Sequence, residues 1–595
     1  MIKMCIFAQQ ILIILTKMKR FTSALMACAI GTMAFAQSEV IRVNQVGFTP
    51  EAEKTASIEV ESVDAKPQKV SIVDGKGKIV WKGKTANTVK SPFSDKARQI
   101  VNFSDFKKAG RYQLVVGDEK TAINISQRPL TPLSVAAIKA FYYQRASMPI
   151  EAQYAGKWSR PAGHMDTEVK VHPSAATAER PAGTVISSSW GWYDAGDYNK
   201  YIVNSGYTVG VMMNAYEKNK EYYKQLNVNI PESKNNVPDL LDELYYNLKW
   251  MQTMQDTDGG LYHKLTTPNF EGMVAPTDCH QQRYVVQKTT AATLDFAACM
   301  AMAHRVYKEY DSAFPGFADK ALEQAEKAYE WAKANPNVAY DQNKMNAAYD
   351  PNVMTGAYDD TVFDDEFFWA ATELYLVTGK SQYRADALNY KPKAYSPATW
   401  GNVAELGMLD WMFYKKDASV SDGAIADEFK ASLLEYVAPF VASAEESCFV
   451  SPSGNKASDF FWGCNSEGCC WRGMQMLFAY RLTGEEKYKQ NAFRCMNYLL
   501  GQNATGYCYV TGFGTKPSCH PHHRLSESNP NGALPGFLVG GPNPGQQDKG
   551  FVKYRTTIPD ESYMDVSGSY ASNEIAINWN ATLVAFSGWL DALGN

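Results

Sequence analysis

The sequence predicts two domains, an all-β sandwich followed by a toroid of paired α-helices, and three observations carry that expectation. At 595 residues the chain exceeds what one hydrophobic core ordinarily supports. Between 39 and 127, short β-branched runs alternate with turn chemistry; beyond the linker at Arg128-Pro129 to Pro132 the apolar period becomes helical. The strand runs are Thr55 to Val60, Gln68 to Val73, Ile79 to Lys82, Gln99 to Phe103, Arg111 to Val116 and Ala122 to Ser126, with Asp74-Gly75-Lys76-Gly77 as a turn between two of them. Helices are predicted near 133–147, 203–222, 237–256, 289–309, 317–334, 364–379, 401–415, 423–443, 466–483, 485–502 and 571–592. Nearly all regular structure of the second domain, taken as 131–595, is therefore expected to be helix. The loops at 148–200, 257–288, 335–363, 444–464 and 503–570 are of a length that is uncommon unless functional.

Lys19 and Arg20 precede an apolar run from Phe21 to Phe35, and Ala34-Phe35-Ala36 before Gln37 reads as a signal-peptidase site. Residues 1–36 are thus expected to be an export signal, with Met18 as an alternative start. The rival reading, a lipid anchor at Cys28, is disfavoured because Met26 fits a lipoprotein box poorly and the apolar run before Cys28 is short. No later segment has the ~20 consecutive apolar residues that a membrane span needs. A periplasmic or extracellular monomer is expected. The 59 basic and 63 acidic residues nearly balance, which leaves no electrostatic footprint for nucleic acid. A neutral polysaccharide needs none, and 13 Trp with 35 Tyr are enough to line a sugar groove as well as fill cores. Six cysteines crowd between 448 and 508, and their pairing cannot be read from spacing.

Chemistry concentrates first in Trp192-Tyr193-Asp194-Ala195-Gly196-Asp197-Tyr198, where two carboxylates stand three residues apart across an Ala-Gly step. Alone, the string is equally compatible with an acidic surface turn or a calcium loop. Two further blocks follow: Tyr509-Val-Thr-Gly-Phe-Gly-Thr-Lys-Pro-Ser-Cys-His-Pro521-His522-His523-Arg524, and Tyr563-Met-Asp565 through Tyr570, Asn573-Glu574 and Asn578-Trp579-Asn580-Ala581. Together, in this order, they resemble glycoside hydrolase family 9, whose members hydrolyse β-1,4-glucans with inversion. Asn44-Gln45-Val46-Gly47-Phe48 and Phe106 to Tyr112 are similar to the immunoglobulin-like module that precedes many of its catalytic domains.

The resemblance implies an N-terminal immunoglobulin-like sandwich at 39–127, serving as a packing partner, and an (α/α)6 barrel of six helical hairpins. It implies Asp197 as general base, Asp194 as its assistant and Glu574 as general acid, with His522 and Arg524 donating hydrogen bonds to sugar hydroxyls. Asp565 also matches a motif position, where it would orient substrate or Arg524 or form a plain salt bridge. Trp192, Tyr198, Trp462 and Tyr570 are candidate subsite aromatics, while Trp250, Trp369 and Trp471 read as core. Ser572 or Asn573 looks like an N-cap, which would set Glu574 in the first turn of the last helix, where the dipole favours carboxylate over acid. Burial would have to outweigh that. No cofactor is required for the chemistry. Zinc is not expected, because three of the four ligand positions of zinc-binding relatives appear as Ala146, Gly163 and Tyr193, leaving only His164. Thr361, Asp365 and Glu366 resemble a family calcium loop, and acidic residues at a helix start account for them equally well. The alternatives to a cellulase are an exo-acting glucosidase or glucosaminidase, a xyloglucan-active endoglucanase, or a non-catalytic glycan-binding protein.

Overall fold

The computed structural model describes residues 38–413 and 420–594; the expected export signal, Met18 and Cys28 lie outside the described residues. Two four-stranded antiparallel sheets form the N-terminal sandwich. One runs Ile41–Arg42, Thr55–Val60, Ala97–Asn102, Ala86–Lys90 in spatial order, and the other Ile79–Lys84, Lys69–Val73, Gly110–Val116, Glu119–Ile125. Alternation drives the packing: Ile58, Ile72, Val101, Leu114 and Ile123 point inward from the two sheets. The strand Ala86–Lys90 was not anticipated; its sequence, Ala-Asn-Thr-Val-Lys, lacks an apolar face and sits at a sheet edge.

The remainder is a double ring of helices. Ile202–Lys218, Thr290–Tyr307, Asp364–Thr378, Ala404–Phe413, Arg472–Thr483 and Ile577–Leu593 form the inner ring. Each packs against an outer partner, respectively Asp239–Thr253, Phe317–Ala334, Ser381–Asn389, Val420–Ala444, Glu486–Leu499 and Thr131–Gln144. Inner helices are apolar nearly all round, as in Ile202–Lys218, whose residues 202–216 are all buried. The outer helix Phe317–Ala334 instead buries one stripe, including Ala318, Ala321, Ala325, Ala328 and Ala332, at three- and four-residue spacing. Glu405 closes the ring by accepting hydrogen bonds from Trp471 Nε1 (2.6 Å) and Gln475 Nε2 (3.2 Å).

Regular structure in the second domain is nearly all helix, as expected; its long loops add a five-stranded sheet of two- and three-residue strands, ordered Val185–Ile186, Val169–Val171, Tyr284–Val285, Lys264–Thr266, Lys200–Tyr201. Strands this short leave no periodic signal. The helix predicted at 466–483 opens as a π-helical turn, Asn465–Trp471. The helix predicted at 571–592 splits into a single turn, Tyr570–Asn573, and Ile577–Leu593, with Glu574 in extended conformation between them (φ −70°, ψ 159°).

Candidate active site

The three sequence blocks meet at one cleft of about 790 Å³, lined by Asp194, Asp197, His522, Arg524, Glu574, Trp462 and Tyr570 among others. The first block forms a closed turn in which the Asp194 N–H donates to the Asn199 carbonyl (3.0 Å). Its glycine is required by close approach: a Cβ on Gly196 would stand 2.3 Å from the His522 carbonyl oxygen and 3.2 Å from Glu574 Oε1. The Ile577 N–H, at the start of the last inner helix, donates to the Asp194 carbonyl (2.8 Å), so the first and third blocks are hydrogen-bonded directly.

The two aspartates are held differently. Asp194 uses both oxygens, Oδ1 accepting from Asn204 Nδ2 (2.6 Å) and Oδ2 from the Tyr358 hydroxyl (2.7 Å). Asp197 receives all its donors on Oδ2, from the Asn199 side chain and backbone and the Tyr201 hydroxyl (3.1 Å). Its Oδ1 is left to the cleft. Burial, reinforced by the charge of Asp197, pushes the Asp194 carboxyl above the usual range.

Glu574 is fixed by backbone on both sides: the His522 N–H donates to the Asn573 carbonyl (2.8 Å) and the Gly540 N–H to the Glu574 carbonyl (2.9 Å). Because the segment is extended and the following helix begins only at Ile577, Glu574 is not in a first helical turn, and the expected conflict with the dipole does not arise. Burial raises its carboxyl well above the ordinary value, and the charges of Asp197 and Asp194 push the same way against Arg524. Burial thus raises the proton affinity of Glu574 and Asp194, while Asp197 beside them presents a free oxygen to the cleft.

His522 Nδ1 lies 2.7 Å from the Ser567 carbonyl, to which it must donate, and burial lowers the ring's pKa. The neutral ring therefore offers Nε2 as an acceptor, not the donor the sequence suggested. Arg524 donates Nη1 (2.8 Å) and its backbone N–H (3.1 Å) to the Gly196 carbonyl and Nε to the Glu271 carbonyl (2.9 Å), clamping the acidic turn from the cleft side. His523 turns away, bonded to Gln144 and Ser526.

Other expectations fail. Trp192 is fully buried, its indole N–H on Glu243 Oε1 (2.8 Å) and its ring against Phe141. Tyr198 is buried beside Tyr193 and His164, its hydroxyl on the Val274 carbonyl (2.7 Å). Neither lines the cleft; together with Tyr193 they pack the turn from behind. Asp565 touches neither substrate space nor Arg524; it binds the turn at 518–520 through Ser518 Oγ and the N–H groups of Cys519 and His520, plus Asn573 Nδ2. Trp462, 41% exposed, and Tyr570 do line the cleft, with ring centroids 5.4 Å apart. Trp250, Trp369 and Trp471 are buried. His164 meets the Tyr193 hydroxyl through Nδ1 (2.8 Å) where zinc-binding relatives would need a second ligand.

Sequence reasoning missed Tyr358, Trp400, Phe270, Trp579 and Glu467, all of which line the cleft. Trp579 was within the third block but unassigned, and the others come from loops or turns with no local motif. Asn199, Tyr201 and Asn204 follow the acidic turn by two to seven residues and could have been found as its hydrogen-bond donors.

Thr361 is exposed, whereas Asp365 and Glu366 are buried with Asp295 and Asp360; burial raises all four carboxyls, and neighbouring carboxylates within the group also raise Asp295, Asp365 and Glu366. Among the described residues no three His, Cys, Asp or Glu side chains form a ready metal cluster. Yet both carboxylate oxygens of Asp295 and of Glu366 lack a hydrogen-bond partner. A cation here would draw on few carboxylates and on backbone carbonyls, a donor set that suits calcium.

Comparison with known proteins agrees with this architecture. Residues 36–121 match the cellulase N-terminal ig-like domain, and residues 132–587 match glycosyl hydrolase family 9. The chain is 52% identical over 570 residues to a xyloglucan-specific endo-β-1,4-glucanase of Bacteroides ovatus, covering 95% of this chain and 96% of that one. It is 32% identical to endoglucanase D of Acetivibrio thermocellus, covering 93% and 83%. A solved family 9 structure from Bacteroides ovatus superposes with a TM-score of 0.89 at 51% identity, covering 94% of this chain and all of that one. The chain belongs to glycosyl hydrolase family 9.

Proposed function

We propose that the protein is an exported, inverting endo-β-1,4-glucanase with Asp197 as general base, Asp194 as its assistant and Glu574 as general acid. The observation that supports this reading is the meeting in one cleft of Glu574, whose proton affinity burial raises, with Asp197, whose Oδ1 accepts no hydrogen bond from the described residues. Glu574 donates its proton to the glycosidic oxygen as the bond to the leaving sugar breaks. Asp197 Oδ1 takes a proton from a water that attacks the anomeric carbon from the opposite face, so a β-linkage yields an α-product. Asp194, anchored by Asn204 and Tyr358, accepts from that water through a remaining lone pair and so holds it beside Asp197. His522 Nε2 accepts from a sugar hydroxyl, and the free face of Arg524 donates. Hydrolysis by this pair needs no cofactor.

A xyloglucan-active enzyme is the second reading, favoured by the 52% identity to a protein of that name. Export rests on the basic and apolar pattern of residues 19–36. A structural calcium held by Asp365, Glu366 and neighbouring carbonyls, with Asp295 close by, accounts for the orphaned carboxylate oxygens.

Incubation with cellulose, mixed-linkage glucan, xyloglucan and cellodextrins, following product sizes with time, tests both readings. Mid-length products at early times are expected. Release of only terminal units would make the enzyme exo-acting, and a first-formed β-anomer by NMR would rule out inversion.

A further inference from the structure

Glu467 lines the cleft and has no part in the chemistry above. Glu467 sits on the π-helical turn Asn465–Trp471, where Asn465, Ser466, Gly468, Cys469, Cys470 and Trp471 are all buried; Glu467 alone reaches the cleft. π-turns inside α-helices recur at functional sites because the extra residue re-aims a side chain. Several acidic groups nearby are held by donors. Asp194 has two donors, Asp197 its Oδ2 donors, and Glu405 accepts from Tyr395, Trp471, Gln475 and the Ala398 N–H. Glu467 has no side-chain hydrogen bond among the described residues, and burial alone raises its carboxyl, to about 7, with no neighbouring charge or donor contributing. A carboxyl left uncompensated is costly unless something arrives to bond it. Around it the cleft offers flat rings, Trp400, Trp462 and Trp579, which supply stacking faces for pyranose rings but little to orient them about the stacking axis.

We infer that Glu467 is a substrate-positioning residue, whose carboxylate accepts hydrogen bonds from two neighbouring hydroxyls of a glucosyl unit bound in the cleft away from the scissile bond. This rests on the glucanase reading above and deepens it. Stacking fixes the height of a sugar ring and a bidentate acceptor fixes its rotation, so the two together set the register in which the chain meets Asp197 and Glu574. Because the π-turn is walled by buried residues, the role does not depend on the Glu467 side chain supporting the fold.

The test separates binding from turnover. Wild-type hydrolysis of cellohexaose checks the glucanase reading by itself; its absence would remove that reading and with it the role of Glu467. Cellohexaose binding is then measured by calorimetry in Asp197→Ala and in Asp197→Ala/Glu467→Ala, and kinetics in Glu467→Ala and Glu467→Gln alone. We expect Glu467→Ala to weaken binding and raise KM at least tenfold with the melting temperature unchanged. Glu467→Gln, which keeps one acceptor oxygen, should recover part of the loss. Unchanged binding and KM with wild-type hydrolysis intact would overturn the role of Glu467 alone. So would a loss confined to kcat, or a fall in melting temperature that the Gln variant shares.

Discussion

At the scale of single residues, the difference between three acids comes from what surrounds each. Asp194 is tied by two donors, Asp197 presents one bare oxygen, and Glu574 sits buried beside both. In the proposed mechanism acid and base are thus distinguished by environment and not by residue type. Since the raised Glu574 must be protonated to act, activity is expected to be lost as pH rises through its pKa, giving an alkaline limb in the pH–rate profile. Glu574→Gln should lower kcat by roughly 10²- to 10⁴-fold on unactivated glucans and abolish that limb. Asp197→Ala should cost a similar factor. Near wild-type turnover of Asp197→Ala would place the base elsewhere.

At the scale of elements, what was legible was periodicity and motif order. The eleven helical segments were readable because their apolar spacing runs over many residues, and the Asp194, Asp197 and Glu574 blocks because their spacing is distinctive. The short strands of the cleft loops, the π-turn and the break before Ile577 were not, since each spans fewer residues than one period can declare. Trp192 and Tyr198 show the same limit: adjacency to Asp194 and Asp197 in sequence said nothing about which side of the turn each ring would occupy. The start of the helix Asp364–Thr378 raises a different question, because four buried carboxyls crowd there. With calcium bound, chelation by EGTA is expected to lower the melting temperature by several degrees. The stabilisation removed is about 3 kcal/mol when calcium stands at roughly 100 times its Kd. A melting curve indifferent to EGTA would leave those carboxyls to share protons instead.

At the scale of the whole molecule, the sandwich is bound to the barrel by specific polar contacts. Arg494 forks onto Glu53 (2.7 and 3.0 Å) and also pairs with Glu445, and Ser57 donates to the Cys448 carbonyl (2.6 Å). Gln45 Oε1 accepts the N–H groups of Thr515 and Lys516 (both 2.9 Å), while its Nε2 donates to the Gly506 carbonyl (2.7 Å). These contacts reach the same loop that carries His522 and Arg524 a few residues later. Arg494→Ala strands Glu53 at the interface and is expected to destabilise the protein by about 2–3 kcal/mol, read as a lower denaturant midpoint, with KM little changed. A midpoint equal to wild type would mean that water replaces the pair without loss. The hydrogen bond from the Ile577 N–H to the Asp194 carbonyl bears on the order of assembly. Asp194 and Asp197 lie hundreds of residues before Ile577 in the chain, so the turn that holds them depends on a donor from the distant helix Ile577–Leu593. A barrel in which that helix has not yet docked lacks this bond, so the acidic turn is expected to take its final form only once the helix is in place.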